Sequence, residues 1–206
     1  MNREAFVWFL LGVNRSGKSV TALEILRNVV PHKARVVKFD PQGRFAEFEG
    51  EKIWTEEHEE GGTIWRNYEQ YTNTLFILDD YRELMGKNTL DADFLKLMSQ
   101  RAENGNDFVF ITHHPKLIIE RLSYYITHVF LFNTPASMKS MLTGKLSAAD
   151  SLAEVVEVIH RYCIDNPPTY PNFPYAYVST LEGSVKFINM PSLKVNKDLG
   201  KLTILK

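Results

Sequence analysis

Short apolar runs alternate with amphipathic stretches along the first 135 residues of the chain. Runs of strand length predict buried strands at residues 5–11, 34–39, 74–78, 107–112 and 127–132. Apolar side chains at helical spacing predict helices at residues 20–29 and 91–103, and a third helix begins at Pro115 and runs to residue 122. Strands that alternate with helices predict an α/β fold, with a mostly parallel sheet flanked by helices.

The rest of the chain predicts a smaller extension. A polar connection at 134–150 leads to an apolar stripe of helical period at 152–159, followed by a rigid, proline-rich segment at 167–174. Residues 175–178 and 185–188 then form a predicted β-hairpin that turns at Glu182 and Gly183. We therefore divide the chain into a core at 1–135 and a C-terminal extension at 136–206 that packs on the core.

The loop after the first predicted strand carries a phosphate-binding motif. Residues 12–19 read Gly-Val-Asn-Arg-Ser-Gly-Lys-Ser and fit G-x-x-x-x-G-K-[ST] at every fixed position, between a strand and a helix. Glycines allow a tight turn, and successive N–H groups at a helix N-terminus form an anion site. Lys18 would reach the β- and γ-phosphates, and the Ser19 hydroxyl would ligate Mg²⁺. The predicted nucleotide contacts are Gly12, Asn14, Arg15, Ser16, Gly17, Lys18, Ser19 and Val20.

Two consecutive acids end the strand predicted at 74–78, in the manner of a Walker B motif. Asp79 would orient Mg²⁺, which prefers oxygen ligands, and Asp80 would polarise the water that attacks the γ-phosphate. Because parallel sheets bind ligands at the carboxyl ends of their strands, we expect the polar residues at those ends to lie together. These residues are Lys18, Asp40, Asp79, Asp80, Thr112 and His113. The chain has no guanine-reading N-K-x-D element after a later strand, so the pattern favours an ATPase over a GTPase.

Composition adds limits to this prediction. The 206 residues carry a formal net charge of −1, so any contact with DNA should be confined to local basic loops. No apolar stretch approaches the roughly 20 residues that span a bilayer. The one cysteine, Cys163, lies in an apolar helical pattern and is predicted to be a small core residue. We expect a soluble intracellular protein, and a phage or virus protein made inside a host would have the same features.

Two further stretches carry a family resemblance. Residues 39–45 resemble the D-P-x-G-E-Y element of HerA-type ATPases, with Arg44 and Phe45 in place of Glu and Tyr. Residues 101–115 resemble the R-x-x-G…A-T-Q-R-P stretch of FtsK-type DNA translocases, with one extra residue between Arg101 and Gly105. Together with both Walker motifs, they make residues 6–135 similar to the FtsK–HerA superfamily of ring-forming DNA motors. His113 stands at the family's sensor glutamine position, and Asp80 replaces a glutamate.

The resemblance implies a mechanism and partners. Such motors receive an arginine from the neighbouring subunit, and Arg101 is the first candidate here, followed by Arg121 and Arg82. A form this small resembles the genome-packaging ATPases of tailless internal-membrane viruses and phages. It implies a ring homo-oligomer that grips DNA without sequence specificity through pore loops, with a capsid or membrane protein at the packaging vertex as a further partner. The candidate pore residues are Lys87, Lys139 and Lys145.

Other functions stay open at this point. The chain also resembles the Zot-like assembly ATPases of filamentous phages, which usually add a membrane-spanning segment. A P-loop kinase for a small substrate would need a lid with several arginines, and residues 116–150 contain few. A nucleotide-dependent assembly protein with negligible hydrolysis would share the same motifs.

Overall fold

An eight-stranded sheet forms the centre of the protein in a computed structural model that describes residues 5–52, 65, 68–80, 92–114, 120–135, 149–190, 194–195 and 204–205. Its strands are β1 (Val7–Leu11), β2 (Arg35–Phe39), β3 (Glu51–Lys52), β4 (Thr74–Asp79), β5 (Asp107–Thr112), β6 (His128–Leu131), β7 (Tyr175–Ser179) and β8 (Ser184–Ile188). The spatial order is β3-β2-β4-β5-β1-β6-β7-β8. A separate antiparallel pair joins β9 (Lys194–Val195) to β10 (Ile204–Leu205).

The first six strands are parallel, and β1 lies between β5 and β6. Its register pairs Val7 with Phe108 and Leu11 with Thr112 on one side, and Leu11 with Leu131 on the other. Strands β4 and β5 are buried along their whole length, as a sheet covered on both faces requires. The predicted strands are therefore confirmed, and all their carboxyl ends meet at one edge of the sheet.

Helices cover both faces of the sheet. Helix α1 (Lys18–Val29) packs Ala22 and Leu26 against one face. Helices α2 (Ala92–Ser99) and α5 (Ala149–Asp165) pack against the other face. That face also carries a row of phenylalanines, in which the rings of Phe76 and Phe108 stack with their centres 4.6 Å apart. The other helical segments among the described residues are α3 (Arg101–Asn104), α4 (Glu120–Ser123) and short 3-10 turns at Val30–His32 and Tyr68–Gln70.

The helix predicted at 91–103 is two helices in the structure. Gln100 has φ −89° and ψ 4°, outside the helical range, and separates α2 from α3. Helix α3 then ends at Gly105, whose φ of +67° suits glycine, so the predicted stop is confirmed while the predicted continuity is wrong. Of the helix predicted from Pro115, the structure describes only the last part, as α4.

The predicted C-terminal hairpin is present and continues the central sheet. Strand β7 pairs antiparallel with β6, and β8 pairs antiparallel with β7. This pairing brings the segment before β7 to the carboxyl end of β6. Cys163 is buried in α5, and burial raises the pKa of its thiol to about 11, which confirms a packing residue. Among the described residues, no helix is long and apolar enough to cross a bilayer.

Candidate functional site

A cavity of about 720 Å³ opens at the carboxyl-end edge of the sheet. Its walls come from the loop between β1 and α1, the turn after β2, the residues that follow β4 and β5, and the segment before β7. The lining residues are Asn14, Arg15, Ser16, Gly17, Lys18, Ser19, Val20, Gln42, Arg44, Asp80, His113 and Phe173. This volume lies within the range of small-molecule sites. The structure therefore brings together most of the residues predicted to bind nucleotide.

The loop itself requires glycine at two positions for different reasons. Gly17 has φ +96° and caps α1, which begins with the bond from Thr21 N–H to Gly17 O at 2.9 Å. Gly12 lies behind the loop, where a Cβ would be 2.6 Å from Cβ of Phe132. Its N–H donates to Thr112 O at 3.4 Å. The residues that line the cavity do not include Gly12, whose lack of a side chain allows the close approach of Phe132, and its contact with nucleotide stays a prediction.

Lys18 spans the loop from below. Its Nζ donates to the carbonyls of Gly12 at 2.7 Å and Val13 at 2.8 Å, and the residue is 3% exposed. Burial lowers its pKa to about 8, against the opposing influence of Asp79 and Asp80. The ammonium is therefore charged at neutral pH and is held by neutral carbonyls, which phosphate oxygens would replace favourably.

The two predicted metal ligands converge on one cation of the chain. Nη1 of Arg44 donates to Ser19 Oγ at 3.2 Å and to Asp79 Oδ2 at 3.4 Å. Asp79 is fully buried, and its Oδ1 has no hydrogen-bond partner within the described part of the chain. Burial raises the pKa of Asp79 to about 6, although Arg44 opposes the rise. The Ser19 hydroxyl and the Asp79 carboxylate thus already contact one positive charge, and Oδ1 of Asp79 is available for another. Oxygen atoms of these two types are ligands that Mg²⁺ prefers.

Asp40 builds the turn that presents Arg44. Its Oδ1 accepts the N–H of Arg44 at 2.9 Å, and its Oδ2 accepts the N–H of Phe45 at 2.8 Å. Both oxygens are thus engaged by the backbone, and Phe45 is buried beneath the turn. Sequence reasoning placed Asp40 at this edge correctly, but it treated Arg44 only as a departure from a family element. The missed signal was a cation directly after a strand-ending turn.

Asp80 and His113 form a pair on the same edge. Nε2 of His113 lies 3.0 Å from Oδ1 and 3.3 Å from Oδ2 of Asp80. Asp80 has φ +52°, and its N–H donates to Ile111 O at 3.1 Å, which fixes the carboxylate beside the end of β5. Burial, followed by the charge of Lys18, lowers the pKa of His113. The imidazole is therefore neutral at pH 7 and can donate from Nε2 to Asp80.

Arg101, the first candidate for the arginine finger, lies away from the cavity of its own chain, and its delivery from a neighbouring subunit stays a prediction. Arg101 follows α2 near the start of β5, at the opposite edge of the sheet. Its Nη1 donates to Met98 O at 3.1 Å, and its guanidinium lies 5.5 Å from the ring centre of Tyr125. Arg121 is exposed on α4, which precedes β6. The structure therefore brings neither arginine into the cavity of its own chain. The predicted residues Arg82, Lys87, Lys139 and Lys145 lie outside the described residues.

The structure also adds Phe173 and Gln42 to the cavity wall. Gln42 stands at the variable position of the element at 39–45, whereas Phe173 belongs to no motif. Phe173 in particular comes from the proline-rich segment, to which the sequence assigned no function.

The fold is shared with solved structures of ATPases. No family model matches the sequence, and no curated protein matches it. The genome packaging NTPase B204 from Sulfolobus turreted icosahedral virus 2, in complex with AMPPCP, has a TM-score of 0.69 at 13% identity, over 89% of this chain and 96% of B204. The same NTPase in complex with ATP-gammaS has a TM-score of 0.68 over 91% of this chain.

Two other proteins share the fold less completely. The N-terminal domain of zonular occludens toxin from Neisseria meningitidis has a TM-score of 0.50 at 15% identity, over 62% of this chain and 76% of that domain. The cytoplasmic domain of the Thermomonospora curvata type VII secretion ATPase EccC has a TM-score of 0.56 at 13% identity, over 89% of this chain and 23% of EccC. At such identities these likenesses establish the fold, and the predicted P-loop NTPase fold, with its resemblance to viral packaging ATPases, is confirmed at that level.

Proposed function

We propose that this protein is an ATPase that moves DNA, and specifically a viral genome-packaging motor that threads DNA into a capsid as a ring homo-oligomer. The observation that carries the ATPase proposal is that two consecutive carboxylates have different surroundings. Asp79 and Ser19 both accept hydrogen bonds from Arg44, while Asp80 lines the cavity beside His113. A metal ligand and a water-positioning base are the two carboxylates that phosphoryl transfer to water requires.

Binding of the triphosphate uses the loop at 12–19. The first N–H groups of α1 have no partner inside the helix and present positive dipole ends to the cavity. Lys18 exchanges its two carbonyl partners for β- and γ-phosphate oxygens, to which it brings a full charge. Asn14, Arg15, Ser16 and Val20 complete this part of the wall.

Hydrolysis then needs an oriented water on the far side of the γ-phosphate. Asp80 accepts a hydrogen bond from this water, and His113 holds the Asp80 carboxylate in place. The new bond joins the water oxygen to the γ-phosphorus, the bond to the bridging oxygen breaks, and ADP leaves with the electron pair. The water proton passes to Asp80 or to the phosphate product.

Mg²⁺ would be held by Ser19 Oγ and Asp79, the pair now joined by Arg44. When bound, it would neutralise charge that develops on the β- and γ-phosphate oxygens. Arg44 must then leave this position, and the remaining ligands would be phosphate oxygens and water, as Mg²⁺ usually retains.

The motor part of the proposal rests on the shared fold and on the motifs. B204 is a viral packaging NTPase, and the likeness extends over nearly all of both chains, whereas the likeness to zonular occludens toxin covers 62% of this chain. We therefore favour packaging over filamentous-phage assembly. In the ring, Arg101, Arg121 or Arg82 of a neighbour would stabilise the transition state, and Lys87, Lys139 and Lys145 would contact DNA phosphates. The protein would act in the host cytoplasm or on the virion, next to a capsid or membrane protein.

The test is ATP hydrolysis with and without double-stranded DNA over a range of protein concentrations. DNA should raise turnover, and Asp80→Asn should lower turnover by about two to three orders of magnitude while ATP still binds. Asp165→Asn, at the exposed end of α5, is the matched control and should match the wild type. Turnover that ignores DNA at every concentration would contradict the motor, and full turnover by Asp80→Asn would contradict the mechanism.

A further inference from the structure

An aromatic ring from the C-terminal extension forms one wall of the cavity. Phe173 packs against the phosphate loop so closely that a Cβ on Gly17 would be 2.2 Å from its Cγ and 2.6 Å from its Cδ2. Any side chain at Gly17 would therefore have to displace this ring and to adopt the φ of +96° that suits glycine. The ring is only partly buried and lines the cavity together with Val20.

The position of Phe173 in the sheet gives it a definite place along a bound nucleotide. Asp80 and His113 follow β4 and β5, which lie on one side of β1. Phe173 precedes β7, which lies beyond β6 on the other side of β1. The phosphate loop lies between them, directly after β1. A triphosphate whose γ-phosphate is next to Asp80 therefore extends its nucleoside towards Phe173.

The segment that carries Phe173 is fixed before any ligand arrives. The N–H of Phe173 donates to Pro171 O at 3.1 Å, and the Phe173 carbonyl accepts a hydrogen bond from Nδ2 of Asn189 at 2.9 Å. Two residues later, Tyr175 stacks on Phe132 with ring centres 5.1 Å apart. A ring held in this way loses little conformational entropy when a second ring stacks on it.

We propose that Phe173 is the stacking surface for the nucleobase, so that the C-terminal extension completes the nucleotide site. The inference rests on the proposed function, because it takes the ligand to be a nucleoside triphosphate. Stacking between a base and an aromatic side chain contributes about 1–3 kcal/mol, or roughly five- to 150-fold in affinity. Phe173 thus acts on the base, while the loop at 12–19 acts on the phosphates.

Binding of two ligands by two variants tests this division. The ligands are a non-hydrolysable ATP analogue and inorganic tripolyphosphate, which has the phosphates without the base, and calorimetry measures each dissociation constant. Phe173→Leu keeps an apolar side chain but removes the ring, so it should weaken the ATP analogue about five- to tenfold and leave tripolyphosphate unchanged. Phe187→Leu is the matched control, since Phe187 is also half-buried in the extension but lies on β8, away from the cavity.

The outcomes separate the two proposals. A wild-type protein that binds no ATP analogue would overturn the proposed function itself. If the wild type binds and Phe173→Leu weakens both ligands equally, or weakens neither, the base does not stack on Phe173. Should Phe173→Leu fail to fold, Phe173→Tyr keeps the ring and should bind as the wild type does. In labelled wild-type protein, the ring resonances of Phe173 should then shift clearly more with the ATP analogue than with tripolyphosphate, because only the analogue stacks a base on the ring, and equal or smaller shifts with the analogue overturn the inference.

Discussion

A buried lysine and a buried aspartate occur at each edge of the sheet, and the two pairs have different partners. At the amino-end edge, Lys33 Nζ lies 2.6 Å from Oδ2 of Asp107, and their side chains are 2% and 0% exposed. Lys33 also donates to Gly105 O at 2.7 Å, and Asp107 Oδ1 accepts the N–H of Phe6 at 2.8 Å. This pair ties the start of β5 to its surroundings with both charges compensated.

Lys18 and Asp79, at the carboxyl-end edge, do not compensate each other and leave polar atoms available to a ligand. Lys18 donates to two neutral carbonyls, and Asp79 shares one oxygen with Arg44 and leaves the other without a hydrogen bond in the described part of the chain. Two buried charges that compensate each other make the loss of either one costly, whereas buried charges without such a partner are themselves costly unless a ligand uses them. The comparison thus separates a structural pair from a candidate functional pair, Lys18 and Asp79, without reference to motifs.

The largest expected effect concerns the structural pair. Lys33→Met leaves the Asp107 carboxylate buried without its cation and should lower the free energy of unfolding by about 3–5 kcal/mol. Urea denaturation measures this loss. The double variant Lys33→Met/Asp107→Asn should recover much of it, because no charge is then left buried. A single variant as stable as the wild type would remove the distinction between the two edges.

The functional pair should show the opposite behaviour. Lys18→Ala should reduce ATP turnover at least a hundredfold, since the triphosphate loses its buried cation. Its free energy of unfolding, measured by urea denaturation, should differ from that of the wild type by less than about 1 kcal/mol, because the lost hydrogen-bond partners are two neutral carbonyls. Steady-state kinetics and denaturation of the same preparation measure both quantities. A large loss of stability would make Lys18 a structural residue in the sense of Lys33.

Asp79 should make the ligand-free protein less stable as the pH rises. Its pKa is about 6 in the folded chain against an ordinary value of 3.8, so the folded state binds more protons between these values. Stability from this group therefore falls as pH rises from about 4 to 6 and stays lower above, by up to about 3 kcal/mol. Asp79→Asn lacks this loss. Urea denaturation without metal or nucleotide at pH 5 and pH 7.5 measures the free energy of unfolding of both proteins. The difference in favour of Asp79→Asn should grow with pH, and a constant difference would contradict the raised pKa of Asp79.

The smallest effect concerns Arg44. Without nucleotide, its guanidinium donates hydrogen bonds to Ser19 Oγ and Asp79 Oδ2, so we expect it to compete with a divalent cation for these two oxygens. Arg44→Gln should raise the affinity of the free protein for Mn²⁺ about tenfold, as followed by electron paramagnetic resonance. Arg27→Gln is the control, since Arg27 pairs with Glu47 on the exposed side of α1. Equal Mn²⁺ affinity in all three proteins would show that Arg44 does not compete.

The sequence was informative wherever chemistry is local. The spacing from Gly12 to Ser19 predicts the loop because consecutive residues build it, and Asp79 with Asp80 ends a strand whose apolar run is unmistakable. The hairpin at 175–188 was likewise predictable, since its strands are neighbours along the chain.

Contacts between distant segments were beyond that reasoning. Arg44 reaches Ser19 and Asp79 only because β2 lies beside β4, a strand order that no local pattern specifies. Phe173 reaches Gly17 only because β7 pairs with β6. The break at Gln100 was missed because the apolar positions end at Met98, and the polar residues that follow do not show where the backbone leaves the helical conformation.

The strand order also determines when the site can form during translation. Strand β1 is made first, yet its partners β5 and β6 begin at Asp107 and His128, so the emerging chain carries its phosphate loop on an unpaired strand. Strand β7 begins at Tyr175 and pairs with β6, so the wall at Phe173 closes only after α5 has been made. The phosphate loop is therefore translated well before the other walls of its site, and the complete site forms only once β1, β6 and β7 have joined one sheet.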